Sequence, residues 1–174
     1  AELDREGARA AFRRAIDMAP DAAAAHVEYA TECLAIGEAS AADEYFDKAL
    51  AVHDDLRGDA LVGTSFAPHA PYTVSNESFE RIQMLSGQLD LPVHLHLHET
   101  ADEIRDSLKE FGMRPFARIK QLGLVNERLI AVHMTQLTEG EIADCATHGV
   151  SIVHNVESNM KLLSGFCPAE AIRR

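Results

Sequence analysis

The 174-residue chain has little of what marks secreted, membrane-spanning or nucleic-acid-binding proteins. It contains 3 cysteines, an odd number without CxxC spacing, which argues against a disulfide framework or a zinc knuckle. Neither a signal peptide nor an apolar run long enough to span a membrane is recognisable. These absences predict reduced thiols and a cytoplasmic location.

Positive charge is also scarce, which limits the partners to be expected. The 16 Lys and Arg residues are outnumbered by 28 Asp and Glu residues, and the net charge is −12. We therefore expect neither a nucleic acid nor an anionic membrane as partner, because both are themselves negatively charged. The chain is also shorter than a complete eight-stranded barrel, which needs at least about 200 residues.

Residues 1–56 are predicted to be helical and contain an internal repeat. Helices are predicted over Leu3–Met18, over Ala22–Ile36 and over about residues 40–53. Five positions of the first helix recur 34 residues later, as the pairs Ala8 and Ala42, Phe12 and Phe46, Ala15 and Ala49, Ile16 and Leu50, and Met18 and Val52. This period resembles the tetratricopeptide repeat, and the resemblance implies a helical hairpin. Chance similarity between alanine-rich helices explains the pattern as well.

Residues 57–174 are predicted to form a second segment, in which strands and helices alternate. Strands are predicted over residues 60–66, 92–97, 129–132 and 150–153. Helices between them begin at Ser75, at a capping box of Thr100 and Glu103, and at a capping box of Thr138 and Glu141. Such alternation is typical of βα units around a parallel sheet, so the fold class is α/β with about four parallel βα units.

Each predicted strand runs into histidine at or just past its carboxyl end. These residues are His69, His94, His96, His98, His133 and His154. The carboxyl ends of parallel strands meet on one face, where such folds place their chemistry. Alternation over Val93–Glu99 predicts that His94, His96 and His98 share one face. Neutral imidazole is a good zinc ligand, and Glu99, where the strand turns, can carry protons.

Four segments together resemble the amidohydrolase superfamily, in particular the deaminases of S-adenosylhomocysteine and 5′-methylthioadenosine. They are Ala67–Tyr72, His96–Thr100, Ala131–His133 and Glu157–Leu162, and the resemblance covers about residues 41–172. It implies a partial, half TIM-type barrel made of strands four to seven of that family. It also implies a zinc-dependent aminohydrolase, in which zinc-activated water attacks the amine-bearing carbon of a nucleoside-like substrate.

The same resemblance assigns roles to individual residues. His96 and His133 correspond to zinc ligands, Glu99 to the group that shuttles a proton to the purine, and His69 to a substrate contact. Further metal donors or site residues are expected among His94, His98 and His154. Zinc is the expected metal, with iron or manganese as alternatives.

Two expected parts of the family pattern are missing. Residues 1–40 hold no His-x-His pair like that of the family's first strand, and no eighth strand supplies the family's metal-binding aspartate. Two hypotheses follow. The chain is a deaminase, or it is a non-catalytic chimeric or fragmentary α/β domain that retains metal-binding histidines and a helical-repeat interaction segment. An incomplete barrel also predicts a homodimer or another assembly that completes it.

Overall fold

The computed structural model of the chain describes residues 5–18 and 39–173. The helices are α1 (Arg5–Met18), α2 (Ala39–Leu56), α3 (Asn76–Leu89), α4 (Ala101–Phe111), α5 (Pro115–Gln121), α6 (Glu139–His148), α7 (Val156–Lys161) and α8 (Ala169–Ile172). The strands are β1 (Val93–Leu97), β2 (Leu129–His133) and β3 (Ser151–Val153). The predicted helix over Ala22–Ile36 lies outside the described residues, and so does part of the 34-residue repeat. No helix in the described ranges is long and apolar enough to cross a membrane.

The three strands form one parallel sheet in chain order, β1-β2-β3. Leu95 of β1 pairs with Ala131 of β2, which pairs in turn with Ile152 of β3. The crossovers run through α4 and α5 and then through α6. Parallel neighbouring strands need such helical crossovers. The sheet and its crossovers therefore confirm the predicted α/β architecture of a partial barrel for three of its strands.

The predicted strand over residues 60–66 is wrong except at its last residue. The Asp59 carboxylate accepts the backbone N–H groups of Leu61 at 2.7 Å and Val62 at 3.1 Å. These local bonds bend the chain and compete with a strand ladder. Phe66 then pairs with β1 through a single bridge to Val93.

The two faces of β1 differ in their surroundings. Val93, Leu95 and Leu97 are buried in a core to which the helices contribute Phe46, Phe79, Ile82, Phe116 and Ile119. His94 and His96, at the alternate positions, are only half-buried. The helices therefore cover one face of the sheet, and the other face presents imidazoles.

Side-chain caps fix where the helices begin. Ser75 caps α3 and Thr100 caps α4, and Thr138 forms with Glu141 the complete capping box predicted for α6. The capping box predicted for Thr100 is only half formed. The Thr100 hydroxyl accepts the Glu103 N–H at 3.1 Å, but the Glu103 carboxylate accepts N–H groups from His98 and Glu99 instead. β1 ends at Leu97, and the carboxylate satisfies the two donors that follow it.

Candidate metal centre

Four histidine rings meet at the carboxyl end of the sheet. The ring centroids of His96 and His133 are 5.1 Å apart, those of His69 and His96 are 5.6 Å apart, and those of His94 and His96 are 6.0 Å apart. His96 is the centre of the group and is in contact with the other three. The structure thus brings together four of the six histidines predicted from the strand ends.

The backbone explains how residues distant in sequence come together. In the β1–β2 register, His133 pairs with Leu97, one residue beyond His96. His69 reaches the same place because its loop continues along the free side of β1. His94 N–H donates to the Phe66 carbonyl at 2.7 Å, and His96 N–H donates to the His69 carbonyl at 3.1 Å. This loop is therefore tied to β1 although it forms no strand.

Glu99 adds a carboxylate to the imidazole cluster. Its Oε1 lies 3.7 Å from Nε2 of His133, and its side chain is 19% exposed. The distance is too long for a hydrogen bond but short for a Coulombic contact. A partly exposed carboxylate beside a ring nitrogen can exchange protons with solvent and with a molecule bound there.

Burial disfavours the charged form of the central imidazole. The pKa of His96 is lowered from its ordinary value, first by desolvation and then by the neighbouring rings of His133, His69 and His94, against an opposing effect of Glu99. Desolvation likewise lowers the pKa of His69. The Nδ1 atom of His96 is buried and has no hydrogen-bond partner among the described residues. A neutral ring with an unsatisfied nitrogen is what a divalent metal requires of a ligand.

His98 does not share the face of His94 and His96, contrary to the alternation argument. Its φ angle is 52°, so strand geometry has ended before this residue. The ring is buried against Phe116, whose N–H donates to His98 Nε2 at 3.0 Å, and lies 3.8 Å from Glu141. Burial lowers the pKa of His98 to about 4, so the ring is neutral and serves to anchor α5.

His154 lies one residue beyond the pair of Val132 and Val153 that joins β2 to β3. Its Nδ1 is buried without a hydrogen-bond partner in the described part of the chain. No ring contact within residues 5–18 and 39–173 joins it to the cluster of the other histidines.

Sequence reasoning missed two further residues of this site. Asn159 places its Oδ1 atom 2.7 Å from His133 Nδ1, and Tyr72 packs edge-on against His69 with centroids 5.7 Å apart. Desolvation, followed by Glu99 and Glu103, raises the pKa of Tyr72. Both residues lie within segments that the family resemblance had marked, but no spacing rule indicated their contacts.

The described residues do not complete a metal shell. Within residues 5–18 and 39–173, no group of three or more His, Cys, Asp or Glu side chains is arranged to hold a metal ion. A catalytic zinc commonly has three protein ligands and a water. His96 and His133 thus form a pair of suitable donors that needs further ligands.

Comparison with known proteins agrees with this geometry. The amidohydrolase family profile matches residues 5–172. A 5-methylthioadenosine/S-adenosylhomocysteine deaminase from Saccharophagus degradans is 46% identical over 134 residues, which are 77% of this chain and 30% of the relative. The crystal structure of an adenosine deaminase from Xanthomonas campestris with bound zinc superposes with a TM-score of 0.75 at 63% identity, covering 76% of this chain and 30% of that one.

More distant structures share the fold. An amidohydrolase from Brucella melitensis superposes with a TM-score of 0.67 at 20% identity, over 77% of this chain and 29% of that chain. The chain thus spans about a third of the length of the proteins it matches. With a family match that covers nearly all of its residues, the chain belongs to the amidohydrolase family.

Proposed function

We propose that this chain carries part of the site of a zinc-dependent aminohydrolase, which deaminates adenine nucleosides such as S-adenosylhomocysteine or 5′-methylthioadenosine. The observation that carries the proposal is the meeting of three side chains. The ring centroids of His96 and His133 are 5.1 Å apart, and Glu99 Oε1 lies 3.7 Å from His133 Nε2. The relatives named as deaminases of these two nucleosides support the substrate class.

His96 and His133 are the residues that would hold the zinc, or alternatively iron or manganese. The unsatisfied Nδ1 of His96 and its lowered pKa fit this role. When bound, zinc supplies a Lewis acid that makes water nucleophilic near neutral pH. His94 and His154 are further candidate donors. His98 has no such role in the proposal, because its Nε2 is engaged by Phe116.

Glu99 is the proton carrier of the proposed reaction. Replacing an amine on a purine ring by oxygen requires a proton on a ring nitrogen and another on the departing ammonia. A carboxylate that is partly exposed and 3.7 Å from His133 can take up and deliver both. His69 contacts the substrate, and Tyr72, which packs on His69 and is about half-exposed, offers an aromatic edge to it.

Zinc content and ammonia release test the proposal together. We expect zinc bound to the chain purified without chelator and ammonia released from S-adenosylhomocysteine. Glu99→Gln abolishes the ammonia but keeps the zinc, whereas His96→Ala loses both. His148→Ala is the matched control. His148 lies on α6, away from the histidine cluster, and its Nδ1 is hydrogen-bonded to the Asp144 carbonyl. Unchanged zinc occupancy in His96→Ala contradicts the ligand assignment.

A non-catalytic metal-binding domain is the second candidate function. It is favoured by the lack of a three-residue ligand group within the described residues. Bound zinc without ammonia release from either nucleoside supports this candidate. Ammonia release that depends on Glu99 excludes it, and a chain that binds no zinc contradicts both.

We also propose that the chain self-associates in a way that completes the barrel. Large apolar side chains lie exposed on β3, on α7 and in the loop after it, namely Val153, Val156, Met160, Leu162, Leu163 and Phe166. Exposed apolar surface next to a strand at the edge of a sheet favours association. Sedimentation velocity at micromolar concentration should give a dimer or larger species that Phe166→Glu dissociates. A wild-type monomer contradicts this proposal.

We further propose that the helical segment of residues 1–56 is a tetratricopeptide-like hairpin that packs against the barrel segment of residues 57–174. Phe46 and Ala49 of α2 pack into the same core as β1, and His53 Nδ1 lies 2.6 Å from the Thr64 hydroxyl. Phe46→Ala should destabilise the whole chain by about 3–5 kcal/mol, with exposed Asp47→Ala as control, measured by denaturant unfolding. Two separate unfolding transitions, of which Phe46→Ala shifts only one, would indicate that the two segments unfold independently.

The proposed location is the cytoplasm, with a small molecule rather than nucleic acid or membrane as partner. Free Cys145 and Cys167 and the net charge of −12 support this proposal.

A further inference from the structure

Asn159 is one of the most deeply buried polar residues of the described chain, with 1% of its surface exposed. Its Oδ1 lies 2.7 Å from Nδ1 of His133, which is itself 3% exposed. The backbone around Asn159 is also held, because its N–H donates to the Asn155 carbonyl and its carbonyl accepts the Ser164 N–H at 2.9 Å. The amide oxygen thus lies against one nitrogen of the ring, while the buried Nδ2 of Asn159 has no hydrogen-bond partner among the described residues.

The chemistry of the two groups determines where the His133 proton resides. With Oδ1 of Asn159 placed toward the ring, His133 Nδ1 is the donor and carries a hydrogen, because an amide oxygen only accepts. In its neutral form an imidazole has one N–H, and in that form Nε2 bears the lone pair. That nitrogen is the one that lies 3.7 Å from Oε1 of Glu99, the carboxylate beside the imidazole cluster.

We propose that Asn159 is a positioning residue that holds His133 in the Nδ1-protonated tautomer and so directs the Nε2 lone pair into the metal centre. The inference rests on the proposed function only in taking the centre to be a metal site, since the tautomer is a property of the metal-free chain. A ligand histidine generally donates its second N–H to an oxygen that fixes ring orientation and raises ligand basicity. Asn159 supplies that oxygen from α7, a different element from the strand that carries the ligand.

Two replacements of Asn159 distinguish the effect of its hydrogen-bond acceptor from the effect of its volume. Asn159→Asp keeps an acceptor at the same position, whereas Asn159→Leu keeps a similar volume without one. Asn155→Leu is the matched control, because Asn155 is an exposed asparagine at the start of the same helix with no side-chain capping bond. Histidine ¹⁵N chemical shifts of the metal-free chain at pH 8, with His133 assigned by a His133→Gln spectrum, report the tautomer.

We expect the Nδ1-protonated tautomer at His133 in the wild-type chain, in Asn159→Asp and in Asn155→Leu, and a mixture with the Nε2-protonated form in Asn159→Leu. Zinc affinity should fall about 10- to 100-fold in Asn159→Leu and remain at the wild-type value in Asn155→Leu.

An Nε2-protonated His133 in the wild-type chain, or an unaltered tautomer in a folded Asn159→Leu, overturns the inference. If Asn159→Leu does not fold, a loss of the Nδ1 proton in Asn159→Asp overturns it equally. A correct tautomer pattern in a chain without zinc affinity counts against the proposed function and not against Asn159.

Discussion

The carboxylate of Glu103 holds the backbone of Glu99 at the end of β1. Glu103 Oε2 accepts the Glu99 N–H at 2.7 Å, and Oε1 accepts the His98 N–H at 3.1 Å. The Thr100 hydroxyl also accepts a bond from Glu103 N–H at 3.1 Å, so α4 and the strand end are tied together. The proton carrier of the proposed site is thus fixed by a buried acidic residue one helical turn away.

This buried carboxyl should make stability fall as pH rises. Desolvation raises the pKa of Glu103 to about 7 from 4.5, against the opposing effect of its backbone hydrogen bonds. The folded state therefore binds more protons than the unfolded state between these values, and the stabilisation is lost as pH rises through about 7. The free energy of unfolding of the wild type, relative to Glu103→Gln, should drop by about 1–3 kcal/mol from pH 4.5 to pH 8.

Urea unfolding of both proteins across that pH range measures the difference. Glu110→Gln, on the exposed side of the same helix, is the matched control for the loss of a carboxylate. A difference for Glu103→Gln that grows in favour of the wild type as pH rises would contradict the raised pKa.

Arg118 should hold the loop that carries His69 and Tyr72. The residue is 5% exposed, and its guanidinium donates to the carbonyls of Pro71 and Val74 and to the Asn76 side chain. Arg118→Met should cost about 2–4 kcal/mol, because these buried acceptors lose their donors. Hydrogen exchange should also rise in residues 70–76.

Arg105→Met is the matched control for this change, since Arg105 is exposed on α4 and pairs with Asp102. It should cost well under about 1 kcal/mol. Equal losses of stability in the two variants would show that Arg118 does not act through the loop.

The capping box of α6 should contribute measurable stability. The Thr138 hydroxyl accepts the Glu141 N–H at 3.3 Å, and Glu141 Oε2 accepts the Thr138 N–H at 2.8 Å. Thr138→Ala should lower the free energy of unfolding by about 1 kcal/mol. Thr147→Ala in the last turn of α6, where the hydroxyl donates to the Ala143 carbonyl of the same helix, should change it by less than half of that. Thermal unfolding monitored by circular dichroism compares the two, and an equal or larger effect at Thr147 contradicts the capping argument.

The thiols of Cys145 and Cys167 should resist alkylation in the folded chain. Burial raises the pKa of Cys145 to about 11 and also raises that of Cys167. Both residues lie in the core, and the thiolate is the reactive form. Iodoacetamide at pH 8 should label neither residue in native protein of a Cys33→Ser variant, and both in urea, as read by peptide mass spectrometry. Rapid native labelling of Cys145 would indicate local opening of α6.

Much of the local structure was predictable from the sequence. β1 begins and ends within one residue of its prediction, because Val93, Leu95 and Leu97 alternate with histidines. The helix starts at Ser75 and Thr100 were indicated by side chains that accept from the backbone three residues on. The failure at residues 60–66 came from Asp59, whose carboxylate captured N–H groups that a strand would have used.

The sequence alone determined that imidazoles gather at the ends of parallel strands, because strand period and βα connectivity are local properties of the chain. Only the tertiary structure decided which of them meet. A change of φ at His98 sends its ring against Phe116, while the register of β1 and β2 brings His133 to His96. Asn159 and Glu103 acquire their roles from contacts made across turns and between elements. Such contacts depend on how helices pack on the sheet, and no sequence spacing encodes them.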